Sequence, residues 1–256
     1  HEEYGRKGAS IKNVIIEGKY TIIRAQDDPT TTDVNEAYKG TIFLVSPEAK
    51  LTLDGEITID GGNNWIFKET EFFEAVEAFK VEIPTQMSIY TFIEYDKQVV
   101  ANAHLIVVDG ILDINRATIT NNFGTDGRTS GTILVRAKGT LNINAGALLT
   151  HNIATGYGGS VVTLNDGSFV NINEGSIITK NLTAQNGGCI YNNGGTITMN
   201  GGKINNNYGV RTNGIAIMLH QNSATLIMNG GEICGNSGLP ADGAGHRAHG
   251  RRGEHR

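Results

Sequence analysis

A short phrase, apolar–any–apolar–Asn followed four positions later by another apolar residue, recurs five times in this chain. It reads Leu112-Asp113-Ile114-Asn115 with Ile119, Leu141-Asn142-Ile143-Asn144 with Leu148, and Val170-Asn171-Ile172-Asn173 with Ile177. The last two copies are Ile197-Thr198-Met199-Asn200 with Ile204 and Leu226-Ile227-Met228-Asn229 with Ile233. Successive Asn positions lie 29, 29, 27 and 29 residues apart. A fixed period of this length marks a repeat architecture, in which one unit cannot bury its apolar side chains alone and stacked units share a continuous core.

Two further markers keep the same phase. Gly131, Gly159, Gly188 and Gly214 each open an apolar segment, and Asn122, Asn152, Asn181, Asn207 and Asn236 each follow the last apolar position of a unit. Alternation inside the apolar stretches has period two, which is the signature of strands and not of helices. The reading is an all-β, right-handed parallel β-helix with three short strands per coil of about 28 residues. Ile114, Ile143, Ile172, Met199 and Met228 form one inward column, and Leu112, Leu141, Val170, Ile197 and Leu226 form its neighbour. Asn115, Asn144, Asn173, Asn200 and Asn229 stack at a corner, where side-chain amides can bond along the axis and the left-handed backbone is tolerated. The 34 glycines suit such a fold for the same conformational reason.

The first half is less regular. Leu51-Thr52-Leu53-Asp54 with Ile57 reads as an earlier copy, and Val14–Ile16 with Tyr20–Ile23 supplies an N-terminal coil. From Asp54 to Asn115 is 61 residues, one coil plus an insert near 64–100. Residues 65–95 hold 8 of the 17 aromatics, and Phe72, Val76 and Phe79 within Glu69–Lys80 are spaced as one face of a helix. Two uses are open for these rings. They can fasten the insert to the solenoid as a small satellite core, which is the favoured reading, or Trp65, Phe67, Tyr90 and Tyr95 can line a ligand site. Residues 1–236 are expected to form a single β-helix domain. Residues 237–256, with His246, His249 and His255, read as a disordered tail, with metal binding by composition as the alternative.

Charge and composition exclude some partners. Residues 1–236 carry a net charge of −7, against a nucleic-acid surface. No apolar run is long enough to span a membrane, and the segment from His1 has no apolar signal region, as expected of a mature or trimmed chain. Cys189 and Cys234 fall at different points of the repeat, so no bridge is expected, and their spacing makes no zinc site. No metal site or cofactor is expected, and the chain reads as a monomer.

Parallel β-helices host polysaccharide hydrolases and lyases, so paired carboxylates were sought. Asp27-Asp28 precedes the regular coils, no Gly-His-Gly occurs, and Arg136-Ala137-Lys138 stands alone. Asp54, Asp60 and Asp109 are the candidates among the acids that an irregular first half could bring to a groove, and a structural role is the better reading. His104, His151 and His220 are scattered singly.

Gly158-Gly159-Ser160-Val161 and Gly187-Gly188-Cys189-Ile190 resemble the Gly-Gly-Ala-Ile element of polymorphic outer-membrane adhesins. Ile119–Asn122, Ile204–Asn207 and Ile233–Asn236 are similar to their Phe-x-x-Asn element, with Ile for Phe. The same style of repeat marks large repetitive adhesin-like surface proteins of gut bacteria, over about 105–236 and 40–63. The resemblance implies a secreted or bacterial cell-surface binding module, non-catalytic, engaging a carbohydrate or a host or bacterial protein. The alternative, by fold analogy, is a carbohydrate-active lyase or hydrolase of the pectin-lyase-like type.

Overall fold

The computed structural model describes residues 12–24, 41–63, 65–79, 88–95, 104–124, 131–185 and 187–239. Its strands stack as a parallel β-helix, and the expected columns are in register. Asp54 pairs beside Asn115, Leu141 beside Leu112 and Val170, Ile143 beside Ile114 and Ile172, and Met199 beside Ile172 and Met228. One face is a six-stranded sheet running from Phe43–Val45 through Ile106–Val108 and Ile133–Val135 to Ile217–Leu219. The next two faces belong to one ten-stranded sheet, because Lys50–Asp60, Thr196–Asn205 and Thr225–Cys234 run through the corner between them. The N-terminal strand Asn13–Ile23 pairs with Lys50–Asp60 along its whole length.

The core inside the solenoid is apolar and continuous. Leu112, Ile114, Leu141, Ile143, Val170, Ile172, Ile197 and Met199 are fully buried. Each such side chain contributes about 1.5–3 kcal/mol relative to exposure. A third inward column departs from the spacing of the repeat phrase in the middle coils. Ile119, Leu149, Ile178 and Ile204 share it, while Leu148 and Ile177 point outward and Ile177 is exposed. The turn after Asn144 and after Asn173 holds one residue more than the turn after Asn115. Gly146 and Gly175, at φ +79° and +78°, lie within these longer turns. One extra residue flips every following side chain to the other face.

Each of the five repeat coils closes with a further short strand that the repeat phrase does not contain. Phe123–Gly124, Ile153–Ala154, Leu182–Ala184, Tyr208–Val210 and Ser237–Leu239 pair as a five-stranded sheet. The solenoid therefore runs three residues past the expected boundary at Asn236; residues 240–256, with the three tail histidines, lie outside the described residues.

Two Asn ladders follow two corners. The expected one is half-buried to exposed: the Nδ2 of Asn144, Asn173, Asn200 and Asn229 donates to the Oδ1 of the Asn one coil earlier at 2.7, 2.7, 3.1 and 2.9 Å. It starts on the Asp54 carboxylate, which accepts from Asn115 at 3.5 Å and from Arg116 at 2.5 Å. The second ladder is buried. Asn152 donates its backbone N–H and Nδ2 to Asn181 Oδ1 at 3.0 and 3.1 Å, and Asn181 does the same to Asn207 at 3.0 and 3.0 Å. At the N-terminal end the buried Arg24 donates to Asn122 Oδ1 at 3.0 Å, where a preceding coil would supply an Asn.

Coils are also linked by ion pairs: Lys19–Glu56, Lys50–Asp113, Arg116–Asp54, Arg136–Asp109 and Lys203–Glu232 each join neighbouring coils. Cys189 is buried and Cys234 exposed, and both are free thiols, as their places in the repeat predict. Burial pushes the Cys189 thiol up to about 12.

Asn181→Ala would strip the Asn152 backbone N–H and the carbonyls of Leu149 and Thr179 of their partners. A buried group left unmet costs about 1–3 kcal/mol, so a loss of several kcal/mol is expected in urea unfolding. Asn173→Ala, in the more exposed ladder, should cost about 1 kcal/mol. Equal midpoints for the two variants would show that the buried ladder holds no special weight.

Candidate binding cleft

The chain leaves the coil path after Asp60, at the corner where the other coils pass into their closing strands. The insert then folds back over the closing sheet. Trp65–Phe67 and Ile93–Tyr95 form an antiparallel pair, and Glu69–Phe79 is a helix packed beside Ser237–Leu239. Phe72, Ala75, Ile89, Phe92 and Ile93 bury against Phe123, Ile153, Leu182, Tyr208 and Leu239. The helix presents Phe72, Ala75 and Val76 to this second core; the Phe79 side chain lies outside the described residues. Phe72 and Phe92 thus serve as the fastening core, with Trp65 and Phe67 packed partly against it, while Phe73 and Tyr90 are exposed.

One edge of the insert is left open. Trp65, Ile66 and Phe67, Glu69, His151, Lys180 and Tyr208 line a cleft of about 310 Å³. His151 and Lys180 come from the corner that precedes the buried Asn ladder. Asn121, His151, Lys180 and Asn206 hold φ values of +57°, +53°, +55° and +50° there, and successive coils bond through this column, His151 N–H to Lys180 O at 3.2 Å. The reversal at the corner imposes the left-handed backbone, and the ladder Asn that follows anchors it.

Trp65 Nε1 donates to the His151 carbonyl at 3.1 Å, and the two rings lie 6.0 Å apart. Phe67 lies against the Tyr208 ring at 4.4 Å, and the Tyr208 hydroxyl donates to Glu69 Oε1 at 2.5 Å. Burial, with the Glu69 carboxylate beside it, pushes the Tyr208 hydroxyl well above its ordinary range, so it remains a donor. Partial desolvation, with the Lys180 charge as the lesser cause, holds His151 below the usual imidazole range. His151 Nδ1 lies 2.8 Å from Thr150 Oγ1. The cleft therefore offers an aromatic wall, a cation, a neutral imidazole and a carboxylate already bonded to a tyrosine.

Of the four expected ligand-binding aromatics, Trp65 and Phe67 reach this cleft. Tyr90 is exposed and sits against Phe123 at a ring distance of 6.3 Å. Tyr95 pairs with Trp65 through the backbone, and its side chain lies outside the described residues. The three expected acids do not meet. Asp54 ends one strand segment at the first Asn corner, Asp60 lies six residues on at the next corner, and Asp109 follows Val108 at the corner leaving the six-stranded sheet. Each is engaged: Asp54 by Arg116 and Asn115, Asp60 by Gly62 N–H and Asn121, Asp109 by Arg136. The Arg116 guanidinium holds the Asp54 carboxyl below its ordinary range. Among the described residues no cluster of His, Cys, Asp or Glu could hold a metal ion.

His104 bonds to the Gly131 carbonyl at 2.8 Å and His220 lies on Tyr191, so only His151 of the three single histidines enters the cleft. Lys180, Glu69 and Tyr208 are not site candidates in the sequence, and His151 stands there only as a scattered single histidine. The repeat alignment places His151 and Lys180 in adjacent coils of one column, but nothing in the spacing shows where the insert returns.

His151 binds fewer protons folded than unfolded between its depressed pKa and the ordinary value near 6.5, so stability must fall as the pH drops through that window. The expected outcome is an NMR midpoint for His151 below 6.5, and a smaller acid-side loss of stability in His151→Gln. A midpoint at or above 6.5 would remove the desolvated environment. No family model, no curated protein and no solved structure matches the chain.

Proposed function

We propose that the chain is a non-catalytic binding module of the β-solenoid type, displayed on a bacterial surface or secreted, which holds a glycan in the cleft between the insert and the coils. The observation that carries the reading is the cleft itself. A partly exposed tryptophan faces a fixed polar set, while the acids a hydrolase or lyase would need stand at different corners in bonds with other residues. Acid–base cleavage of a glycosidic bond needs two carboxyl groups about 5–10 Å apart across the bond. Here the acids serve as links between coils.

A tryptophan face buries the apolar C–H face of a sugar ring, and a few aimed polar groups fix its orientation. The solenoid supplies the rigidity: His151 and Lys180 sit on a corner whose backbone is bonded to the coils on both sides, so little order is lost on binding.

A glycan array run beside an assay for reducing ends and unsaturated products, on pectins and other polyuronates with calcium present, tests the reading. Binding without turnover is expected, with Trp65→Ala losing at least about tenfold in affinity. Turnover abolished by Asp109→Ala would overturn it in favour of the enzyme.

A further inference from the structure

Lys180 differs from the other cations that join the coils. Lys50, Arg116, Arg136 and Lys203 each face an acid one coil away. Lys180 has His151 and Asn206 as its neighbours in the corner column, neither of them an acid, and it has no ion-pair partner among the described residues. It is exposed and lines the cleft. The one carboxylate of the cleft, Glu69, is bonded to the Tyr208 hydroxyl. The cleft thus carries a cation that forms no ion pair among the described residues, next to an aromatic platform and a neutral ring nitrogen.

We infer that the cleft selects a carboxylate-bearing sugar, whose ring rests on Trp65 while its carboxylate pairs with Lys180. This rests on the binding-module reading and adds the ligand class. The volume of about 310 Å³ is at the lower end of small-molecule sites, which suits one or two pyranose rings and not a protein loop. Glu69 carries a negative charge that disfavours an anionic group beside it, whereas Lys180 attracts one. The carboxylate is thereby directed toward Lys180. Charged hydrogen bonds of this kind are the stronger class, and an acid is distinguished from its ester by this one contact.

Trp65 is the only tryptophan of the chain, so its fluorescence reports on the cleft alone. Trigalacturonate and sialyllactose are titrated beside their uncharged counterparts, the methyl ester of the first and lactose. At least one acid is expected to bind about tenfold more tightly than its counterpart, with the difference shrinking as salt is raised. Lys180→Gln should erase that difference and leave the weaker binding, and Lys180→Arg should restore it, both with melting unchanged because the side chain is exposed. Equal affinity for acid and counterpart, or selectivity that survives Lys180→Gln, overturns the inference while leaving a glycan module in place. Fluorescence that responds to none of the four sugars, joined with no hit on the glycan array, overturns the binding-module reading as well.

Discussion

The corner that leads into the closing strands has to turn the chain sharply while burying polar backbone, and the buried Asn ladder is what meets that demand. From Asn152 onward one Oδ1 at each step accepts two bonds from the preceding coil, from the backbone N–H and from Nδ2, and the amide nitrogens of Asn152, Asn181 and Asn207 also bond carbonyls of the coil before. Asn is the residue that can supply acceptor and donors from one short side chain while tolerating the local geometry. Without it the corner would leave amide and carbonyl groups stranded in an apolar interior, at a cost large against the marginal stability of any domain. The apolar columns hold the coils together, but the ladder permits the coils to close.

The two ladders are oriented in opposite senses. In the buried one the donors point toward the C-terminal coil, because each Oδ1 must also meet a backbone N–H, and Arg24 completes the pattern at the first step. In the outward one the donors point toward the N-terminus, because Asp54 can only accept and therefore requires Asn115 to donate. A third, shorter file repeats the device: Asn171 donates to Asn142, and Asn142 to Asp113. An acid at the head of a file of amides sets the direction of every amide after it.

What could be read from the residues alone follows from this arithmetic. Period and phase were carried by the Asn, Gly and alternating apolar positions, because a stacked column needs the same residue type at each level. Leu148 and Ile177 show the limit of counting a fixed offset from Asn. One additional turn residue in two coils moved the inward position to Leu149 and Ile178, a change that an αL glycine absorbs without disturbing the column. The closing strands were missed because Phe123, Ile153, Leu182 and Tyr208 face outward, toward a partner that lies elsewhere in the sequence. For the same reason the cleft was only half legible: Trp65 and Phe67 stand out by composition, whereas His151 and Lys180 become meaningful only once the insert is known to fold back onto their corner.

A stack of similar rungs has an ambiguity that ordinary domains do not face. Sliding one part of the chain by a whole coil sets Ile on Ile and Asn on Asn as before, so the core and the ladders barely sense the error. The ion pairs do sense it. Lys50 meets Asp113, Arg116 meets Asp54 and Arg136 meets Asp109 at one step only, and the neighbours one coil further on are amides or apolar groups. These surface charges, worth little as glue, act as an address that distinguishes one rung from the next. Four of the five described pairs lie among the first coils, and Lys203–Glu232 marks the last step.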